Sequence, residues 1–275
     1  MSFDLYLRGN NLTLPDLLNH FDKYPEFQQQ KFSDMDSAYA LVNPATGVYC
    51  YFTTEEPGTV CFGLNYNRPT FFALETLPLV ESVCRHFRLL VEDPQEEVTG
   101  PASSSDLIKS WRIHNERAVN ALKAQGVALN YMPESKANEW WAYTRMQEQM
   151  AKDLEDSVFL PAMIILKGSV EEPFRMIVCH GGIPQLLPPA DMIYLARSDS
   201  TLAGEVAYGF VSFEVFVDLV APFTSEYRFG TQSYLLLEPI KFPEVVSLIR
   251  ELELLPAPQY ERVERDGFHD VVLSG

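Results

Sequence analysis

The chain is short of the groupings on which most site chemistry rests. Its four cysteines, Cys50, Cys61, Cys84 and Cys179, include no CxxC or other close pair. That spacing argues against a disulfide framework and against a zinc ligand set, and suits buried thiols in a reducing cytosol. The five histidines, His20, His86, His114, His180 and His269, stand singly, with no pair at i,i+4 to hold a metal on one helical face. Gly181-Gly182 precedes Ile183-Pro184 without a Walker lysine or the third glycine of a dinucleotide fingerprint, so it reads as a turn. No G-x-S-x-G elbow occurs, which disfavours a serine hydrolase. The longest apolar run, Val158 to Leu166, is too short to cross a bilayer and contains Pro161, and Met1 to Asn10 show no leader pattern. The expectation is a cytoplasmic protein with no membrane span, no metal and no cofactor.

Positive charge is also scarce. Lys and Arg number 21 against 38 Asp and Glu, a formal net charge of −17. Binding to nucleic acid rests on Lys and Arg displacing counterions from phosphates, so no nucleic-acid partner is expected. The same imbalance favours attraction to a basic protein.

The residues that tempt a catalytic reading fail on geometry. Cys179 and His180 are adjacent, and neighbours on a strand point to opposite faces. Cys84 and His86 are two apart on a helix and do not face one another. Catalytic residues are therefore expected to be none, unless polar groups such as His180, Asp191 and Arg197 converge only in the fold.

What is present is a patterned α+β chain of 47% apolar residues, ordinary for a protein with a sizeable core. Phe3, Leu5 and Leu7 alternate with polar neighbours as a first strand. Thr13, Pro15 and Asp16 open a short helix that Pro25 stops. Tyr39 to Val42, Val48 to Thr53 and Val60 to Asn65 form a meander punctuated by Pro and Gly. Thr76-Leu77-Pro78 echoes Thr13-Leu14-Pro15 and predicts a second helix through Phe87. The stretch Glu96 to Ser105 has the Glu, Gly, Pro and Ser content of an exposed connection.

Leu107 to Leu122, closed by Gly126, and a run opened by Ser135 that carries Trp140 and Tyr143 predict two helices. Strands follow at Val158 to Leu166, Phe174 to Cys179, Met192 to Ala196, Val206 to Phe210 and Ser233 to Leu237, with a helix at Pro243 to Leu254. Phe213 to Val220 fits helix or strand. The predicted fold is thus α+β, antiparallel sheets with helices packed on one face, in two α+β modules joined by a helical pair. Its parts are 1–95, a linker at 96–105, the pair at 106–155, a second module at 156–255 and a loose tail at 256–275.

Two kinds of residue are candidates for contact with a protein partner. The acid pairs Glu55-Glu56, Glu92-Asp93, Glu96-Glu97 and Glu171-Glu172 lie beside Pro or Gly, where solvated turns are the ordinary reading and an acidic rim is the functional one. Trp140 and Trp141, consecutive on a helix, project in different directions, so core packing of one leaves the other available as an interface anchor.

Five segments carry a family resemblance: Phe3-Asp4-Leu5-Tyr6-Leu7; Phe62-Gly63-Leu64-Asn65-Tyr66-Asn67-Arg68-Pro69 leading to Glu75; Asp93-Pro94-Gln95; Trp140-Trp141-Ala142-Tyr143; and Ile183-Pro184 with Pro188 and Asp191. Together they resemble immunity proteins of bacterial contact-dependent or polymorphic toxin systems. The resemblance implies a cytoplasmic protein that binds a cognate toxin and blocks it without turnover, and it transfers no contact residue. The leading expectation is a non-catalytic immunity protein. A regulatory or scaffold module that binds a cellular protein is the second reading, and an enzyme without a motif the third.

Overall fold

The computed structural model describes residues 1–9, 12–31, 38–56, 58–154, 158–168, 172–181, 183–198, 206–237, 242–256 and 259–272. It divides into two compact units, Met1–Ala137 with Arg265–Gly275, and Asn138–Glu264. The class is α+β, with six helices among the described residues and sheets built mainly of antiparallel pairs.

The first unit is built on one seven-stranded antiparallel sheet. In chain order its strands are β1 (Ser2–Arg8), β2 (Gln28–Lys31), β3 (Ala38–Val42), β4 (Tyr49–Glu56), β5 (Thr59–Asn65), β6 (Leu90–Asp93) and β7 (Val98–Gly100). Their order across the sheet is β2-β3-β4-β5-β1-β6-β7. β1 has the expected alternation, with Phe3, Leu5 and Leu7 fully buried, and the meander is β3 to β5. Helix α1 (Leu14–Phe21) is capped as its sequence predicts, Thr13 Oγ1 accepting from the Asp16 amide at 3.4 Å.

Helix α2 (Phe71–Phe87) corrects the expected start at Thr76. It begins five residues earlier and carries Pro78 inside. Thr76 caps nothing: it is fully buried, and its hydroxyl donates to the Phe72 carbonyl at 2.7 Å. The burial of Phe71, Phe72 and Ala73 outweighs the one amide that Pro78 fails to supply. The Thr-Leu-Pro echo therefore marks no structural repeat. Helix α3 (Ser104–Ala124) packs on α2 and ends before Gly126, whose φ of +78° suits only glycine at low cost.

The presumed linker is part of this unit. Residues 96–105 include all of β7, which pairs with β6, and the first two residues of α3. Composition misled because a three-residue strand between turns is mostly turn residues. The presumed loose tail is divided: Arg265–Gly275 belongs here, with Phe268, His269 and Asp270 buried, and 256–264 falls in the second unit. The backbone of His269 is bonded on both sides, its amide to the Asn130 carbonyl at 3.0 Å and its carbonyl to the Met132 amide at 2.9 Å. Asp270 accepts from the Thr70 amide at 2.7 Å and from the Thr70 hydroxyl at 3.0 Å, at the start of α2. A hydrogen-bonded, apolar-flanked segment cannot behave as a free end.

The second unit contains most of α4 (Glu134–Leu154) and two sheets. The larger sheet orders β12 (Val206–Ser212), β11 (Met192–Ser198), β9 (Phe174–His180), β8 (Met163–Lys167) and β15 (Glu261–Arg262). Its β9–β11 pair is parallel, a departure from the all-antiparallel expectation. A parallel pair needs a crossover, and here it runs through β10 (Leu186–Leu187) of the smaller sheet. That sheet orders β10, β14 (Gln232–Leu237) and β13 (Thr224–Phe229). The ambiguous 213–220 stretch is helix α5 (Phe213–Val220), and α6 (Phe242–Glu251) follows.

The parallel pair is fastened at its origin by a buried cation. Arg175 is 4% exposed, and its amide donates to Asp191 Oδ2 at 2.8 Å. Its guanidinium reaches both Asp191 oxygens, at 3.3 and 3.4 Å, and Glu139 at 2.5 Å. A buried guanidinium is tolerated only when paired and hydrogen-bonded in this way.

Candidate functional site

Among the described residues, the candidates Trp140, Trp141 and Glu172 come together in no common cleft. Trp140 is 2% exposed, with its indole N–H donating to the Met163 carbonyl at 3.0 Å. This corrects its candidacy as a contact residue: it is core, fixed by one satisfied donor. Trp141, about 100° further round the helix, is half-buried, with the Arg145 guanidinium 5.5 Å from its ring centroid. Glu172 is exposed just ahead of β9. Glu55 and Glu56 end β4, with their side chains outside the described residues, and Glu171 lies outside them altogether.

The tempting chemical pairs are separated as the sequence predicted. Cys179 is fully buried and the neighbouring His180 exposed; Cys84 is buried and His86 exposed. Burial pushes the Cys179 and Cys50 thiols well up and that of Cys84 to about 12, so these three are thiols, not thiolates, near neutrality. His180, Asp191 and Arg197 have separate tasks. Asp191 holds Arg175, Arg197 donates to the Ile249 and Leu252 carbonyls at 2.6 Å each, and the His180 ring lies against Phe159. Among the described residues no group of three His, Cys, Asp or Glu side chains could hold a metal ion, and no helix is long and apolar enough to cross a membrane.

One open concave feature of the first unit does combine apolar walls with directed charge. It is a groove of about 380 Å³ between the outer strands of the sheet and the first half of α3. Its floor follows from strand register. Val91 pairs with Gly100, and Asp93 with Val98, and residues directly opposite in a ladder share a face. Val91 and Leu107 are buried beneath it, whereas Val98, at 58% exposure, and Ile113, at 38%, form open walls.

Gly100 leaves the groove empty where a side chain would fill it. A Cβ built there meets nothing within 4 Å, and its φ lies outside the left-handed region.

The rim is mostly acidic. Asp93, Glu96 and Asp106 line it with Lys109 as the one cation. Asp93 is 6% exposed, accepting from the Gln95 amide at 2.9 Å and the Ser110 hydroxyl at 3.0 Å, which fixes the β6–β7 turn. Glu96 meets His114 Nε2 at 3.0 Å. Ser103 caps α3, accepting from the Asp106 amide at 3.4 Å, so Asp106 sits in the first turn, where the helix dipole favours a carboxylate. Glu81 accepts from the Ser104 amide at 3.0 Å, and its pKa is lowered first by Ser104 and then by Arg85.

Two smaller clefts are used internally. One, about 230 Å³, lies beside Thr70 and Asp270. There burial pushes the Asp270 carboxyl up to about 6, against the opposing hydrogen bonds from Thr70. The other, about 240 Å³, adjoins His20 and His86, whose ring centroids are 4.7 Å apart. The His20 pKa is lowered by burial, then by Lys23 and His86.

Sequence reasoning missed the groove because none of its parts is a motif. Signals that could have found it are Asp93-Pro94 as a turn and Ser103 with Asp106 as a helix cap; the strand between them offers none. Comparison with protein-family models, with curated proteins and with solved structures finds no match to this chain.

Proposed function

We propose that this chain is a binding protein that acts by occupancy, an immunity protein that captures and neutralises a basic toxin domain. The observation that carries this reading is the apolar, acid-rimmed groove on a chain of net charge −17. Its walls offer desolvation for an aliphatic anchor, and its rim offers orientation for cations beside that anchor. Excess negative charge adds long-range attraction, which raises association rates with a basic partner and falls with salt.

The size of the groove limits its share of the affinity. Burying one or two aliphatic side chains contributes about 1.5–3 kcal/mol each, whereas a micromolar complex needs about 8 kcal/mol. Contacts beyond the groove are therefore required, consistent with an extended interface.

The test is co-expression with a cognate toxin. Protected cells and a 1:1 complex on gel filtration are expected, with association slowing as salt rises. Unprotected cells with no complex would sink the reading. Protection lost with the toxin but replaced by a constant cellular partner would mark a regulatory or scaffold protein instead.

A further inference from the structure

Beside its groove the first sheet ends in β7, whose outer edge carries no further strand among the described residues. We infer that β7 is a docking edge, completed by an extended basic segment of a partner that adds as an eighth strand and inserts an aliphatic side chain over Gly100. The inference rests on the protein-binding reading above and names the partner's segment.

Three observations converge on that occupant. An edge strand presents alternate backbone N–H and C=O groups outward, and all of Val98–Gly100 is exposed or partly so. A strand laid beside β7 would send every second side chain toward the α3 face, where the space at Gly100 is unfilled. The accessible charges that would flank it are Glu96 and Asp106 against Lys109, so lysine or arginine next to the aliphatic anchor is favoured.

The opposite edge of the sheet differs. β2 is Gln28–Lys31, polar throughout and ending in lysine, the usual protection against strand addition. β7 is protected too, by its shortness and by Pro101, but those devices do not account for an apolar hollow alongside. They limit the addition to about three residues, which suits a specific short segment and not open-ended sheet growth.

The experiment uses the full chain and a fluorescein-labelled heptapeptide of alternating lysine and valine, read by fluorescence anisotropy. Control peptides carry glutamate in place of lysine, or N-methyl groups on alternate amides. Expected are saturable binding of the lysine peptide, slowed amide exchange at Val98–Gly100, and at least tenfold weaker binding of either control. Gly100→Phe fills the hollow and is expected to weaken binding at least tenfold with thermal stability unchanged. Should that variant not fold, Val98→Lys at an exposed position places a repelling charge at the same mouth.

Equal binding of the N-methylated peptide, equal binding of the glutamate peptide, or full binding by the variants overturns the inference, as does no binding at millimolar peptide. A chain that dimerises alone through Val98–Gly100 overturns it as well. The two readings fail separately. If the toxin complex forms and Gly100→Phe and Val98→Lys leave it intact, strand addition is wrong and toxin binding stands; if no toxin complex forms, the functional reading itself is wrong.

Discussion

The two units solve the same problem, holding a charged group inside a folded chain, with opposite charges. In the first, the Asp270 carboxylate is buried against the amide and hydroxyl of Thr70 at the start of α2. In the second, the Arg175 guanidinium is buried between Asp191 and Glu139 at the start of the parallel pair. Each joins segments that the ladder alone does not join. The difference is in compensation: the anion leans on neutral donors and keeps a raised pKa, whereas the cation has two carboxylates. The first fastening is therefore sensitive to pH, and the second to loss of a partner.

The largest expected effect comes from removing the cation. Arg175→Met should cost about 3–5 kcal/mol, because Asp191 is left without its ion partner. Glu139→Gln should cost less than about 1 kcal/mol, since that side chain is 45% exposed and its pairing is screened. Urea unfolding compares them. Equal losses would remove Arg175 as the fastening of the second unit.

A smaller effect tests the anion. Asp270 has a folded pKa of about 6 against an unfolded value near 3.9, so the folded state binds the proton more tightly. The stability this supplies is fully present below about pH 3.9 and is lost as pH rises through about 6, at most about 3 kcal/mol. Asp270→Asn keeps a neutral acceptor at every pH. Its stability relative to the native chain should rise between pH 4 and pH 7.5, and a flat difference would show that Asp270 does not titrate in this window.

The smallest effect concerns a backbone position. Arg88 ends α2 with φ +56°, a left-handed conformation in which a side chain costs about 1 kcal/mol. Arg88→Gly should raise the melting temperature of the first unit by a few degrees. No rise, or a fall, would mean that the Arg88 side chain contributes contacts that offset its strain.

Much of the fold was legible because periodicity reports burial. Phe3, Leu5 and Leu7 specified β1, Thr13 and Asp16 specified the start of α1, and the punctuated meander gave β3 to β5. Where short-range signals met long-range packing, the latter prevailed. Thr76-Leu77-Pro78 has the form of a helix start, yet α2 was already under way, held by Phe71 and Phe72 in the core. Residues 213–220 were undecided because a run this apolar satisfies both periods. The groove was illegible because it arises from what register places opposite: Gly100 faces Val91, nine positions earlier, and a missing side chain leaves no pattern. Trp140 and Trp141 show the same limit, since spacing established that their rings diverge but not which one the core would take.

The bond between Thr70 and Asp270 spans 200 residues of chain. At roughly 5–20 residues per second on the ribosome, the start of α2 waits about 10–40 s for the carboxylate that completes it. Throughout that interval the buried surface destined for Phe268 is open, and the nascent first unit is exposed to chaperones or to misassociation while the second is still being made. The order of synthesis thus makes the N-terminal unit, the first to emerge, the last to be finished.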